Sequence, residues 1–180
     1  MNNYPEAPVP LIDEKEIHKI VSCLGAEITA CYRDCPRRLV VVGLLKGAFI
    51  FMADLVRRLE LPLVVDFLGV SSYGDTAASS GEIRLTLDLA TDITGRDVLL
   101  VEDIVDTGIT IAAVRRLLER RQPRSLRVCA LLSKPDCRRV DVQVDFIGKE
   151  IENVFVVGYG LDYAENFRHL PFVGKIESLK

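Results

Sequence analysis

VLLVEDIVDTGIT, residues 98–110, decides how this chain is read. Val98–Val101 is an apolar run of strand type. Glu102 and Asp103 leave that strand as adjacent carboxylates, and Asp106, Thr107, Gly108 and Thr110 turn the chain into a helix expected from Gly108. Glycine permits close backbone approach, and the N–H groups of a helix start suit a phosphate. The hydroxyls of Thr107 and Thr110 can add hydrogen bonds. A carboxylate pair just upstream suits cis hydroxyls, a divalent metal, or both. The stretch is thus a phosphate cradle with an acidic edge, the kind of site that takes a phosphorylated sugar. An Asp/Gly turn that merely caps a helix is the blander account. Three acids within residues 102–106, straight after an apolar strand, weigh against it. The pattern GxxxxGK[ST] is absent, so this is not a Walker A loop.

Outward from this segment, buried strands alternate with helices. Residues 13–32 carry Ile17, Ile20, Val21, Leu24 and Ile28 at helical spacing, with Asp13 placed to cap them. Arg38–Leu44 is a continuous apolar run ending near a glycine, as in a buried parallel strand, and a helix is expected from Gly47. Leu63–Val70 reads as the next strand. Gly81–Asp88 alternates apolar and polar residues like an exposed antiparallel arm. Asp97–Glu102, Leu126–Ser133, Val142–Ile147 and the short Val154–Tyr159 complete the strands. This order means an α/β fold with a mainly parallel sheet, whose ligands bind at the carboxyl ends of strands.

The whole chain narrows the function classes. Its 180 residues suit one domain, and a composition 49% hydrophobic and 27% charged is that of an ordinary globular protein. The opening MNNYPEAPVP has three prolines and no apolar period, so residues 1–10 read as a loose arm. No signal peptide and no run long enough to span a bilayer is visible. Five cysteines without a CxxC pair, and only two histidines, speak against a disulfide framework or a zinc site and fit free thiols in the cytoplasm. A net charge of −3 argues against broad nucleic-acid binding. The one basic stretch, residues 115–127, has Ile111, Val114, Leu117 and Leu118 at helical spacing beside it, so its arginines read as the solvated face of an amphipathic helix.

The acidic segment resembles the ribose-phosphate signature of the type I phosphoribosyltransferases, and separate motifs from Val40 to Gly174 follow the order of the hypoxanthine-guanine branch of that family. The resemblance implies a mainly parallel sheet flanked by helices, a flexible antiparallel arm, and a small hood to which residues 154–180 contribute. It implies a single domain over residues 1–180. Glu102 and Asp103 would then hold the ribose hydroxyls, Asp106 would serve as general base, and Asp106–Thr110, with the backbone of Gly108 and Ile109, would cradle the 5′-phosphate. Ile109 stands where some relatives have lysine, and its backbone N–H can still serve. LLKG at Leu44–Gly47 matches the turn that binds pyrophosphate, so Leu45, Lys46 and Gly47 take that role, often across a cis peptide at Leu45–Lys46. Arg168 would grip the same group with its planar fork.

By the same resemblance, Ser72 and Tyr73 ride on a mobile lid, residues 71–82, that shields the reaction from water. Lys134 would donate to O6 of a 6-oxopurine. Phe155 would stack on the base, and Val156 and Asp162 would offer backbone groups to its edge. Magnesium is the implied cofactor, with Glu102, Asp103 and Asp162 as its carboxylates. The implied reaction is purine salvage: phosphoribosyl pyrophosphate and hypoxanthine or guanine give IMP or GMP, in a homodimer or homotetramer, without nucleic acid or membrane. Two other classes compete. A signalling receiver domain shares an acidic strand end, but there the acids lie near the N-terminus. A non-catalytic regulator on the same fold, binding nucleotide or RNA, would not need the purine pocket of Lys134, Phe155 and Asp162.

Overall fold

Continuous apolar runs build a six-stranded sheet that is covered on both faces. The computed structural model describes residues 7–35, 37–72 and 83–176. In chain order these form β1 (Val9–Ile12), α1 (Glu14–Tyr32), β2 (Leu39–Leu45), α2 (Phe49–Val56), β3 (Leu63–Ser72), β4 (Ile83–Leu87), β5 (Asp97–Val105), α3 (Ile109–Glu119), β6 (Ser125–Ser133), β7 (Phe146–Glu150), β8 (Val156–Val157) and β9 (Val173–Lys175). A 3-10 turn, Pro135–Cys137, follows β6.

The large sheet has the order β4-β3-β2-β5-β6-β7. All neighbours pair parallel except β3 with β4. Alternate residues face opposite cores, as the strand period of two requires. Val41, Leu99, Val101 and Leu131 pack with α1 and α2, while Val40, Val42, Leu100 and Val128 pack with Ile111, Val114 and Leu118 of α3. Burial on both faces explains why these strands read as unbroken apolar runs. Asp13 caps α1 as expected, accepting the N–H of Glu16 at 2.8 Å. From the centre the chain goes to β3 on one side and to β6 and β7 on the other, so the topological switch lies between β2 and β5. A second, antiparallel sheet, β1-β9-β8, joins the two ends of the described chain.

Four expectations need correction. Val9 and Pro10, inside the stretch read as a loose arm, begin β1, because Val9 pairs with the distant Lys175. The strand expected over Val142–Ile147 is shifted to Phe146–Glu150; Val142 and Val144 instead pack from a loop against the α3-side core. Val154–Tyr159 keeps only two strand residues. β5 does not end at Glu102 but runs on to Val105, held in register with Ser133 of β6, so Glu102 and Asp103 lie within the strand. The arginines of 115–127 include four with intrachain partners: Arg115 donates to the Gln143 carbonyl, Arg121 to Asp88, Arg124 to Asp97 and Arg127 to Cys31 Sγ. The expected lid at 71–82 lies outside the described residues from Tyr73 onward.

Candidate active site

The carboxyl ends of β2, β5 and β6 open into a cavity of about 760 Å³ at the topological switch. It gathers Leu45, Lys46, Gly47, Glu102, Asp103, Asp106, Lys134, Phe155, Val156, Asp162 and Arg168 from four separate parts of the sequence. Thr107, Gly108, Ile109 and Thr110 are not part of its lining. Thr107 and Gly108 form the bend just beyond Asp106, and Ile109 and Thr110 open α3. Ser72 ends β3 opposite Ile83. Ile104, Leu161, Glu165 and a wall from β3 and β4 also line the cavity, and sequence reasoning missed them. The wall follows from a strand pairing, which no local pattern announces. Glu165 stands three residues before Arg168, a spacing that could have suggested an ion pair.

The floor is an acid pair, and the Arg168 charge reaches its Asp103. Asp103 accepts the N–H of Ile104 at 2.8 Å, while Glu102 Oε2 is buried without a hydrogen-bond partner among the described residues. Burial pushes the Glu102 carboxyl well above its ordinary value, and the neighbouring Asp103 charge adds to that. Burial also raises Asp103, against the pull of hydrogen bonds from Glu102 and from the backbone. The turn after β2 closes tightly over this pair. Its Leu45–Lys46 peptide is cis, and a Cβ on Gly47 would fall 1.6 Å from Asp103 Oδ2. Only glycine fits there.

Beside the acids, Lys134 is buried at the end of β6 and its Nζ lies 3.0 Å from Asp106 Oδ2. A buried cation so placed is paired, as desolvation demands. Gly108 has φ +81° and turns the chain into α3, a left-handed conformation that favours glycine. Arg138, not singled out from the sequence, reaches this bend: Nη1 donates to the carbonyls of Val105 and Asp106, each at 2.5 Å, and Nη2 to Ser133 Oγ at 2.9 Å.

The hood covers the opposite side. Phe155 is partly exposed to the cavity and meets Tyr163 edge-on, with ring centroids 5.6 Å apart. Tyr159 donates to Asp54 of α2 at 2.6 Å, and a Cβ on Gly160 would lie 2.1 Å from the Gly47 carbonyl, so the hood loop rests on the turn after β2. Arg168 donates to the Gly160 carbonyl at 2.8 Å and pairs with Asp162 at 2.8 Å and Glu165 at 3.3 Å. Glu165 also pairs with Lys46 at 3.0 Å, and that hydrogen bond, the largest influence, holds its carboxyl below the ordinary range.

Glu102, Asp103 and Asp162 do not form a common ligand cluster: no group of three acidic, histidine or cysteine side chains among the described residues is disposed for a metal. Asp162 is occupied by Arg168 and by the N–H of Glu165. The Glu102–Asp103 pair alone fits a cation, because it brings two buried carboxyls and one unpartnered oxygen to the cavity floor.

A sequence profile of the phosphoribosyl transferase domain matches residues 15–164. The chain is 49% identical over 166 residues to the hypoxanthine phosphoribosyltransferase of Salmonella typhimurium, covering 92% of this chain and 93% of that one. It is 46% identical over 167 residues to the hypoxanthine-guanine phosphoribosyltransferase of Bacillus subtilis, covering 93% and 92%. The crystal structure of a hypoxanthine phosphoribosyltransferase from Staphylococcus aureus is similar with a TM-score of 0.89 at 42% identity, over 93% of this chain and 90% of that one.

Proposed function

This chain belongs to the phosphoribosyl transferase family and has its type I fold, and from that premise we propose how its cavity acts. It is a purine-salvage transferase: a 5-phosphoribosyl group passes from phosphoribosyl pyrophosphate to N9 of hypoxanthine or guanine, giving IMP or GMP and pyrophosphate. The observation that carries the residue roles is the pair Lys134–Asp106, 3.0 Å apart within the cavity. A 6-oxopurine presents O6 and N7 side by side on one edge. Lys134 donates to O6, and Asp106 takes the proton from N7 as N9 attacks C1′ of the ribose. Adenine offers an amino group where Lys134 needs an acceptor, so it is rejected.

The N9–C1′ bond forms as the bond from C1′ to the pyrophosphate oxygen breaks, and positive charge develops on the sugar. Glu102 and Asp103 hold its hydroxyls and lie where that charge grows. The Leu45–Gly47 turn and Arg168 receive the departing pyrophosphate. Thr107–Thr110 cradle the 5′-phosphate at the start of α3. Phe155 stacks on the base, with backbone groups of Val156 and Asp162 at its edge. Mg²⁺, held by Glu102 and Asp103, would supply positive charge against the leaving group. The lid role implied for Ser72 and Tyr73 would keep water from the reaction, and Tyr73 lies outside the described residues.

A non-catalytic regulator is the weaker reading, because Arg115, Arg121 and Arg124 of its would-be RNA surface are engaged within the chain. The reading also carries a cytoplasmic location and a homodimeric or homotetrameric state, which light scattering on purified protein tests. The decisive assay follows absorbance with phosphoribosyl pyrophosphate, a divalent metal, and hypoxanthine, guanine, xanthine or adenine. Turnover of a 6-oxopurine without turnover of adenine is expected. No nucleotide from any base would overturn the reading.

A further inference from the structure

We infer that Arg138, outside the cavity, is a positioning residue for the 5′-phosphate; this rests on the phosphate role given above to the bend before α3. Three successive carbonyls of that bend are held by one short segment. Arg138 Nη1 takes those of Val105 and Asp106, both at 2.5 Å, and the N–H groups of Arg139 and Val140 take that of Thr107 at 3.0 and 3.3 Å. In a trans peptide the C=O and N–H point to opposite sides. These peptides are trans, the one cis bond among the described residues being Leu45–Lys46. Holding the carbonyls of 105, 106 and 107 on one side therefore turns the N–H groups of Asp106, Thr107 and Gly108 to the other. Successive N–H groups on one side, leading into a left-handed residue, make a concave anion site. Gly108 supplies that residue at φ +81°.

The guanidinium is itself fixed. Its Nη2 donates to Ser133 Oγ at 2.9 Å, and Ser133 is buried at the end of β6, next to Lys134. Lys134 adds its own N–H to the Val105 carbonyl at 3.0 Å. Arg138 thus ties the strand end that carries the purine-reading lysine to the bend that would hold the phosphate. A planar fork suits this because it serves two carbonyls and a hydroxyl at once, which an ammonium on a flexible stem does not. The loop is seated closely as well: a Cβ on Gly108 would lie 2.8 Å from the Val140 carbonyl.

The test compares ligands with and without the phosphate. Calorimetry gives the affinities of wild type, R138A and R138K for IMP and for the nucleoside inosine, alongside steady-state kinetics. R138A should weaken IMP binding about 10- to 100-fold and leave inosine within about twofold, since lost hydrogen bonds to a charged group are being read through the phosphate alone. Its KM for phosphoribosyl pyrophosphate should rise more than its kcat falls, and added guanidinium at millimolar concentration should restore part of the IMP affinity. If R138A does not fold, R138K carries the test, with a loss of about 3- to 10-fold confined to IMP. Equal loss for IMP and inosine, or no loss for either, overturns the proposal. A wild-type protein that binds IMP no better than inosine would instead strike the phosphate role itself.

Discussion

The floor of the cavity rests on strands of seven to ten residues, β2, β3, β5 and β6, while the hood is held by strands of two to four, β1, β8 and β9. Floor residues are fixed by burial on both faces of a sheet. Hood residues are fixed by turns: Tyr159, Ala164, Glu165 and Phe167 all have positive φ, and single hydrogen bonds such as Tyr159 to Asp54 anchor the loop. The difference has a physical sense. Groups that meet developing charge must not shift, and a close-packed sheet resists shifts. Groups that select and release a flat base or a leaving anion can sit on irregular backbone close to solvent. Floor substitutions should therefore change chemistry, and hood substitutions should change binding.

Asp106→Asn is the strongest attempt to break that contrast. It keeps shape and removes the proposed proton acceptor, so turnover should fall about 10²- to 10⁴-fold, the usual range for a general base. Affinity for IMP should change little, because the cradle backbone is untouched. Single-turnover kinetics beside equilibrium binding separates the two. Turnover equal to wild type would remove Asp106 from its role, and a parallel loss of affinity would make it a binding residue.

The two regions also differ in how far the sequence announced them. The floor strands were legible because burial on both faces leaves continuous apolar runs such as LVVVGLL, and only their ends were misjudged. β5 outran its apolar run by taking Glu102 and Asp103 into the ladder, since register with β6 rather than side-chain character ends a strand. In the hood, Val9 pairs with Lys175, a separation no local pattern can register. Four non-glycine residues at positive φ there defeat turn rules written around glycine. Lys134 and Phe155 were singled out only through resemblance, because a lone lysine or phenylalanine carries no signal by itself. Arg138 escaped because it acts on backbone carbonyls, which leave no trace in side-chain types.

Glu102→Gln sharpens the contrast from the stability side. The folded-state carboxyl titrates well above its ordinary value near 4.5, so the folded protein holds this proton more tightly than the unfolded chain. That contribution to stability is full below the ordinary value and is lost as pH rises toward the folded one. At neutral pH less of that contribution remains, so the buried acid costs the free protein more stability there than at pH 4.5. The neutral amide should raise Tm by about 2–6 °C at pH 7.5, with a smaller gain at pH 4.5, while phosphoribosyl transfer falls. Calorimetry across that pH range checks it. An unchanged or lower Tm at pH 7.5 would mean that the acid pair is already neutralised within the free protein.

Glu165→Gln asks the smaller question of the hood. Glu165 is exposed, yet it lies against both cations assigned to pyrophosphate, Lys46 at 3.0 Å and Arg168 at 3.3 Å. On the proposed assignment, an incoming pyrophosphate competes with this internal carboxylate. Removing its charge should tighten pyrophosphate binding by only about two- to fivefold, because exposed ion pairs are weak. The lowered carboxyl stays ionised down through pH 5, so the gain should persist there rather than fade with mild acid. It should shrink as salt rises from low concentration to about 0.5 M, where charges farther apart than a few ångströms are screened. Binding of inorganic pyrophosphate to both proteins across that salt series decides the matter. A tightening that salt does not reduce would point to a reshaped loop rather than a removed competitor, and a weakening would make Glu165 a support for Arg168 instead of its rival.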